Sequence, residues 1–157
     1  MKLFEVLSTK QGKGYASVSL DSHSTKLIHD ILKELGIESY IPDLHITLVY
    51  DRSNPTIDMK LKNSKYNARV IGVDTLGDLS SKWGAIVLKL NSPTITKRHK
   101  DYIDAGYTHS YKQFVPHLSL KYRPTNDDIN TIKSNFDKFK KLDLVFHNEK
   151  LEKIKEY

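Results

Sequence analysis

Pro42-Asp43-Leu44-His45-Ile46-Thr47-Leu48 is the stretch that decides the fold, because its pattern returns downstream as Val115-Pro116-His117-Leu118-Ser119-Leu120. Each copy has a proline ahead of a histidine, an apolar residue, a hydroxyl residue and a second apolar residue. Alternate side chains of a β-strand point to opposite faces, so each copy predicts a half-buried strand. The apolar residues would enter a core, and one imidazole and one hydroxyl would share the polar face. The alternative is two unrelated, half-exposed strands.

The composition limits the class of protein. With 157 residues, the chain is long enough for one domain with a real core or for two small lobes that share a cleft. There is no cysteine, which excludes disulfides, thiolate nucleophiles and thiolate zinc sites. The absence of cysteine also suits a cytoplasmic protein. No apolar run approaches the length of a membrane span. The net charge of +6 favours an anionic partner such as nucleic acid, nucleotide or phosphate.

The two motifs end equivalent paths along the chain. Residues 14–20 alternate as a strand and residues 25–35 have the apolar spacing of a helix, before a turn leads to the first motif. Residues 82–90 form a second strand, and a helix from Pro93 to about Ala105 leads in the same way to the second motif. This order indicates an internal duplication.

The remaining segments complete the predicted fold. Residues 66–79 show strand-like alternation, 124–141 form a third helix, and 142–154 hold one or two strands. We therefore predict an α+β fold over 1–157, as a single domain with two pseudo-symmetric lobes. Each lobe would have a small antiparallel sheet with outer helices, and the two motif histidines would meet across a central cleft.

Paired His-x-Thr/Ser motifs separated by several tens of residues resemble those of the 2H phosphoesterase superfamily. Here the pair is His45-Ile46-Thr47 and His117-Leu118-Ser119, and the order of strand, helix and motif fits over residues 14–123. The resemblance implies metal-free action on 2′,3′-cyclic phosphates, 2′–5′ linkages or related phosphodiesters. Within the superfamily, the length and overall sequence are similar to phage anti-CBASS phosphodiesterases, which degrade cyclic oligonucleotide alarm signals in the host cytoplasm.

The motif residues suit phosphodiester cleavage by in-line attack, which needs a base on the nucleophile and an acid on the leaving oxygen. Imidazole, with an ordinary pKa of about 6.5, serves in either role near neutral pH. His45 and His117 would be base and acid, in an order that the sequence leaves open, and Thr47 and Ser119 would donate to the non-bridging oxygens. The expected substrate is a cyclic di- or trinucleotide, cut at a 3′–5′ bond to a linear product. We expect no metal, no other cofactor and no obligate protein partner.

Other residues are weaker candidates for binding the substrate. Lys121 shares the predicted strand face of His117, where it could pair with phosphate. Tyr15 and Trp83 stand at matching places in the two predicted units and could stack on bases. Glu149 could accept a hydrogen bond from an exocyclic amine of a base. The alternatives are an exposed strand lysine for Lys121 and core or rim packing for Tyr15 and Trp83.

The remaining histidines have no partner at a metal-ligand spacing, so we interpret them as surface or packing residues: His23, His29, His99, His109 and His147. Three alternatives stay open. The same site could act on a linear RNA with a 2′,3′-cyclic phosphate end or on a 2′–5′ oligonucleotide. The protein could be a non-catalytic module that sequesters nucleotides. It could also be a zinc hydrolase, for which a third ligand at a recognisable spacing is missing.

Overall fold

The computed structural model describes residues 12–111 and 113–154. The strands are β1 (Tyr15–Leu20), β2 (His45–Tyr50), β3 (Tyr66–Leu76), β4 (Ala85–Asn91), β5 (His117–Tyr122) and β6 (Asp143–Glu152). The helices are α1 (Ser22–Glu34), α2 (Pro93–Asp104), α3 (Asn126–Ser134) and α4 (Phe136–Lys140). The predicted α+β class is confirmed, and both motifs form strands.

The strands form one open antiparallel sheet in the order β2-β1-β6-β3-β4-β5. This single sheet replaces the two separate small sheets that the sequence predicted. The edge strands β2 and β5 stand at opposite ends of that order, yet their Cα atoms come within 8 Å of each other. The Ile41 N–H also donates to the Leu120 carbonyl over 2.8 Å. The sheet therefore curls until the two motif strands are neighbours.

Each long helix begins at a side chain that accepts a hydrogen bond from the first turn. Asp21 caps α1, Ser92 caps α2 with Pro93 behind it, and Thr125 forms a reciprocal capping box with Asp128 in α3. The third helix was predicted to run unbroken to 141, but Asn135 leaves helical geometry with φ −111° and divides it into α3 and α4. The helices bury fully enclosed apolar side chains against the sheet, including Ile28, Leu32, Ile95, Ile132 and Phe139.

Both motif strands contain a β-bulge at the same place. In the β1–β2 pair, Thr47 faces Ser17 and Val49 faces Ala16, so Leu48 is an extra residue. In the β4–β5 pair the register steps from Ser119↔Val87 to Lys121↔Ile86, and the extra residue is the leucine that follows Ser119. A bulge increases local twist and redirects neighbouring side chains. In each strand it follows the motif hydroxyl directly.

The same register corrects one predicted equivalence. Tyr15 faces Tyr50 at the end of β2, and the corresponding residue opposite Tyr122 at the end of β5 is Ala85. Trp83 lies two residues earlier, in the turn before β4, so it does not match Tyr15. Across the described ranges, none of the helices combines the length and apolarity needed to span a membrane.

Candidate functional site

The two motif histidines are held in the same way. Nδ1 of His45 lies 3.2 Å from the Asp43 carbonyl oxygen, and Nδ1 of His117 lies 3.1 Å from the Val115 carbonyl oxygen. A carbonyl only accepts, so each Nδ1–H donates to the backbone two residues earlier. In the neutral ring the lone pair is then on Nε2. Both imidazoles therefore present Nε2 as the atom that can take up or release a proton.

Tyr15 contacts the first motif through its hydroxyl group. The Tyr15 oxygen lies 2.9 Å from Nε2 of His45 and 3.2 Å from Oγ1 of Thr47. Because Nε2 carries the lone pair, the tyrosine O–H donates to His45 and the threonine hydroxyl donates to Tyr15. Burial raises the pKa of Tyr15, which keeps the hydroxyl protonated. β1 therefore supplies a polar contact to the motif of β2.

His117 has a different environment. Burial lowers the pKa of its imidazole; the hydrogen bond to the Val115 carbonyl opposes that shift, and the nearby His45 adds to it. The two imidazoles are thus close enough to repel each other when both are charged. Thr47 and Ser119 are half-buried beside them on the polar faces of the same strands. One small region contains two imidazoles and two hydroxyls from the edge strands.

Lys121 shares the strand face of His117 and Ser119 but already has an anionic partner. Its ammonium nitrogen lies 2.8 Å from Oδ2 of Asp128, and both side chains are largely buried. Asp128 belongs to the capping box at the start of α3. A phosphate at this place would have to share the ammonium with that carboxylate.

Trp83 lies at the rim and is 60% exposed. Its ring meets Tyr122 edge-on, with centroids 5.8 Å apart, and the Lys82 ammonium lies 5.0 Å from the indole centroid. Tyr122 is in turn close enough to Tyr15 to affect its ionisation. An exposed aromatic surface therefore adjoins the end of the site.

Glu149 does not belong to this group of residues. Its side chain is fully buried, and its carboxylate receives Nε of Arg98 at 2.9 Å and Nη2 at 2.7 Å. The Tyr102 hydroxyl donates to it at 2.8 Å. These donors occupy both carboxylate oxygens, which leaves neither oxygen pointing toward a nucleobase. The role predicted for Glu149 therefore does not fit its position. Sequence patterning places a residue on a strand face but cannot show that an arginine from a distant helix covers it.

A groove of about 760 Å³ begins at Tyr15 and His45. It continues past the Ser17 and Ser19 hydroxyls of β1 to the face of α1 that bears Lys26, Asp30 and Lys33. His117 does not line it. The groove thus extends the first motif in one direction, away from the second.

Two further histidines, for which the sequence predicted only surface or packing roles, lie beside the motif strands. His99 of α2 hydrogen-bonds the Leu48 carbonyl, and His109 hydrogen-bonds the Tyr50 N–H. No spacing rule could have revealed them, because the contacts join residues far apart in the chain. In the described part of the chain, no three His, Cys, Asp or Glu side chains form a group that could hold a metal ion.

The fold and site define an α+β protein with a curled antiparallel sheet whose edge strands each contribute a histidine and a hydroxyl residue to one place. Comparison with known proteins assigns nearly the whole chain to one family. The model of the family described as anti-CBASS protein Acb1 matches residues 13–157, and the chain belongs to that family.

Two phage proteins named anti-CBASS protein Acb1 are similar over most of the chain. The protein of Vibrio phage KVP40 is 33% identical over 133 residues, which is 83% of this chain and 82% of the relative. That of Escherichia phage RB16 is 30% identical over 123 residues, 76% of this chain and 68% of the relative. A Caulobacter protein of the same name is 31% identical over 124 residues, which are only 18% of its length.

Proposed function

We propose that this protein is a metal-independent phosphodiesterase of the 2H phosphoesterase type that linearises cyclic oligonucleotides and so counteracts CBASS signalling. The observation that carries the proposal is the paired orientation of His45 and His117, each with Nδ1–H on a backbone carbonyl and Nε2 available for proton transfer. Family membership supports the biological setting, because the relatives are named as anti-CBASS proteins. Such a protein would act in the cytoplasm of the infected cell.

The backbone register supports an equivalence of the two motifs. The half β2-β1-β6 and the half β5-β4-β3 each contain an edge strand joined through a helix to its neighbour. Each edge strand has its bulge directly after the motif hydroxyl. We propose that the halves are two pseudo-symmetric lobes of one sheet, which would place the histidines on opposite sides of a substrate phosphorus.

The environments of the histidines favour one assignment of roles. His117, whose pKa is lowered by burial, is unprotonated near neutral pH and suits the base. The role of acid then falls to His45, whose Nε2 accepts from the Tyr15 hydroxyl in this structure and must carry a proton when the leaving oxygen departs. His117 would take the proton of a ribose 2′-OH, whose oxygen attacks phosphorus, while the bond from phosphorus to the 5′-oxygen breaks. His45 would protonate that oxygen, which leaves a linear product ending in a 2′,3′-cyclic phosphate.

The remaining site residues would act on the phosphate and bases. Thr47 and Ser119 would donate to the non-bridging oxygens, where charge builds up in the transition state. The Tyr15 hydroxyl must leave Nε2 of His45 when the substrate binds. The Tyr15 ring would then be available to stack on a nucleobase, as would the exposed ring of Trp83. Lys121 would reach the phosphate only while still held by Asp128.

The experiment is product analysis by mass spectrometry with a chelator present. The panel holds 3′–5′-linked cyclic di- and trinucleotides, 2′–5′ oligoadenylate and a short RNA with a 2′,3′-cyclic phosphate end. We expect linear product from a cyclic substrate and a loss of about 10²–10⁴-fold in His45→Ala and in His117→Ala. The matched control is His23→Ala, an exposed histidine in α1, which should retain full activity.

Three outcomes would contradict the proposal in different ways. Turnover of the linear substrates alone would keep the two-histidine chemistry but move the protein to RNA-end processing. Binding of a cyclic nucleotide without turnover would indicate sequestration. Activity that the chelator abolishes and zinc restores would replace the acid–base pair with a metal site.

A further inference from the structure

We propose that His99 and His109 are positioning residues, which hydrogen-bond the open edge of β2 and thereby hold the first motif against the second. β2 is an edge strand, so the backbone groups on its outer side have no neighbouring strand. Nδ1 of His99 contacts the Leu48 carbonyl oxygen, and the Tyr50 N–H donates to Nδ1 of His109 over 3.1 Å. The Ser110 N–H donates to the Tyr50 carbonyl over 2.8 Å. Imidazole side chains thus take the place of a missing strand.

The same two imidazoles contact the segment that leads to the second motif. The His99 ring stacks on Phe114, with centroids 3.8 Å apart and planes 4° from parallel. Phe114 directly precedes Val115, whose carbonyl holds Nδ1 of His117. The ring of His109 meets that of His99 edge-on at 5.1 Å. His99 is therefore bonded to the strand of one motif and packed on the approach to the other.

Both contacts depend on the chemistry of the Nδ1 atom. His99 must carry a proton on Nδ1 to donate to the Leu48 carbonyl, whereas His109 must carry a lone pair there to accept from Tyr50. Burial lowers the pKa of His99 and lowers that of His109 to about 4, so both rings are neutral near pH 7. A leucine would fill similar space but leave the Leu48 carbonyl or the Tyr50 N–H without its partner. Packing alone would not require a hydrogen-bonding atom at this place.

The bonded backbone groups stand next to the motif. Leu48 is the bulge residue that follows Thr47. The ring of Tyr50 meets the ring of Tyr15 edge-on, with centroids 5.8 Å apart, and the hydroxyl of Tyr15 contacts His45. A misplacement of about 1 Å at a reacting group can cost on the order of 10²-fold in rate. If β2 is released from this edge, both residues of the first motif shift relative to His117. The expected effect is therefore on kcat rather than on the binding of distant parts of the substrate.

The test compares side chains that keep or lose an atom at the Nδ1 position. Asparagine places its amide at that position, and glutamine extends it toward the position of Nε2. We expect His99→Asn and His109→Asn to keep kcat within about threefold, and His99→Leu, His99→Gln and His109→Leu to lose about 10–100-fold with a smaller change in KM. Rates are measured where circular dichroism shows every variant fully folded. Equal kcat in the Asn and Leu variants would overturn the proposal.

The activity readout rests on the proposed function, so a second readout does not use substrate. Hydrogen exchange of the Tyr50 amide should accelerate at least about tenfold in His109→Leu and remain protected in His109→Asn. The NMR signals of the His45 ring should shift in the Leu variants alone. If the wild-type protein cleaves no nucleotide, the proposed function fails while these measurements still decide the positioning role. If it cleaves substrate but His109→Leu retains a protected Tyr50 amide, the positioning role fails alone.

Discussion

At the residue scale, the lowered pKa of one motif imidazole, His117, gives a prediction for pH dependence. The pKa of His117 is lowered by burial and, to a smaller extent, by His45. A base must be unprotonated, so kcat/KM should be lost as the pH falls through a value below about 6.5, the ordinary pKa of histidine. The pH–rate profile measures that midpoint. A midpoint above neutral pH would exclude His117 as the base.

An NMR titration of His117 checks the same prediction without turnover. In His45→Ala the repulsion by a second imidazolium is gone, so the pKa of His117 should rise while staying below its ordinary value because burial remains. The control His23→Ala should leave the titration unchanged. An identical His117 titration in His45→Ala and wild type would mean that the two rings do not face one site.

Glu149 gives a second prediction at this scale. The Arg98 and Glu149 side chains are 4% and 0% exposed, so removing one charge leaves the other buried without compensation. We expect Glu149→Gln to lower the free energy of unfolding by about 3–5 kcal/mol, measured by urea denaturation. The double variant Arg98→Met/Glu149→Leu should recover much of that loss, because no unpaired charge remains. Undiminished stability with an altered base preference would restore the role that the sequence suggested.

At the element scale, the turn before β4 depends on a glycine. A Cβ on Gly84 would lie 2.2 Å from the Asp78 carbonyl oxygen, which is backbone and cannot move aside as a side chain does. Gly84→Ala should therefore cost about 1–3 kcal/mol in thermal or urea unfolding. The control is Gly36→Asn, at φ +74° with open space around it, which should cost only a few tenths because asparagine tolerates this conformation. A loss in Gly84→Ala as small as that in Gly36→Asn would show that the close approach to the Asp78 carbonyl does not limit the turn.

The elements also show what sequence reasoning can reach. Strand alternation and helix capping depend on neighbours in the chain, so the motif strands and the Ser92–Pro93 helix start were predictable. Register is non-local, and the bulge at Leu48 left only an indirect sign: the adjacent buried pair Leu48-Val49 interrupts the alternation. The displacement of Trp83 from the position matching Tyr15 follows from the β4–β5 register, in which Ala85 lies opposite Tyr122.

The candidate site was predictable to a similar degree. The four motif side chains repeat a local pattern, and the structure brings their strands together. The contacts that decide which predicted residues can bind substrate come from other parts of the fold. Asp128 pairs with Lys121, Arg98 pairs with Glu149, and His99 hydrogen-bonds the edge of β2. None of these pairs has a sequence spacing that would reveal it.

At the scale of the whole molecule, folding should make stability depend on pH through buried imidazoles. Burial lowers the pKa values of His99, His109 and His117, and all three lie on or beside the motif strands β2 and β5. Below about pH 6.5 these imidazoles bind protons in the unfolded chain but remain neutral in the folded chain. The free energy of unfolding must therefore fall as the pH falls. For His109 alone, with a pKa of about 4, we expect a loss on the order of 1–3 kcal/mol between pH 7 and pH 4.

The pH window separates this effect from that of the acidic residues. Asp51 and Glu149 have lowered pKa values, so their stabilisation is present above the unfolded values near 4 and is lost only below them. Urea unfolding at pH 7, 6 and 5 therefore reports the histidines. His109→Asn, which keeps an acceptor for the Tyr50 N–H but does not titrate in this range, should flatten that part of the curve. A wild-type stability that is constant from pH 7 to pH 5 would mean that the imidazoles remain solvated, and that the curled sheet does not enclose them.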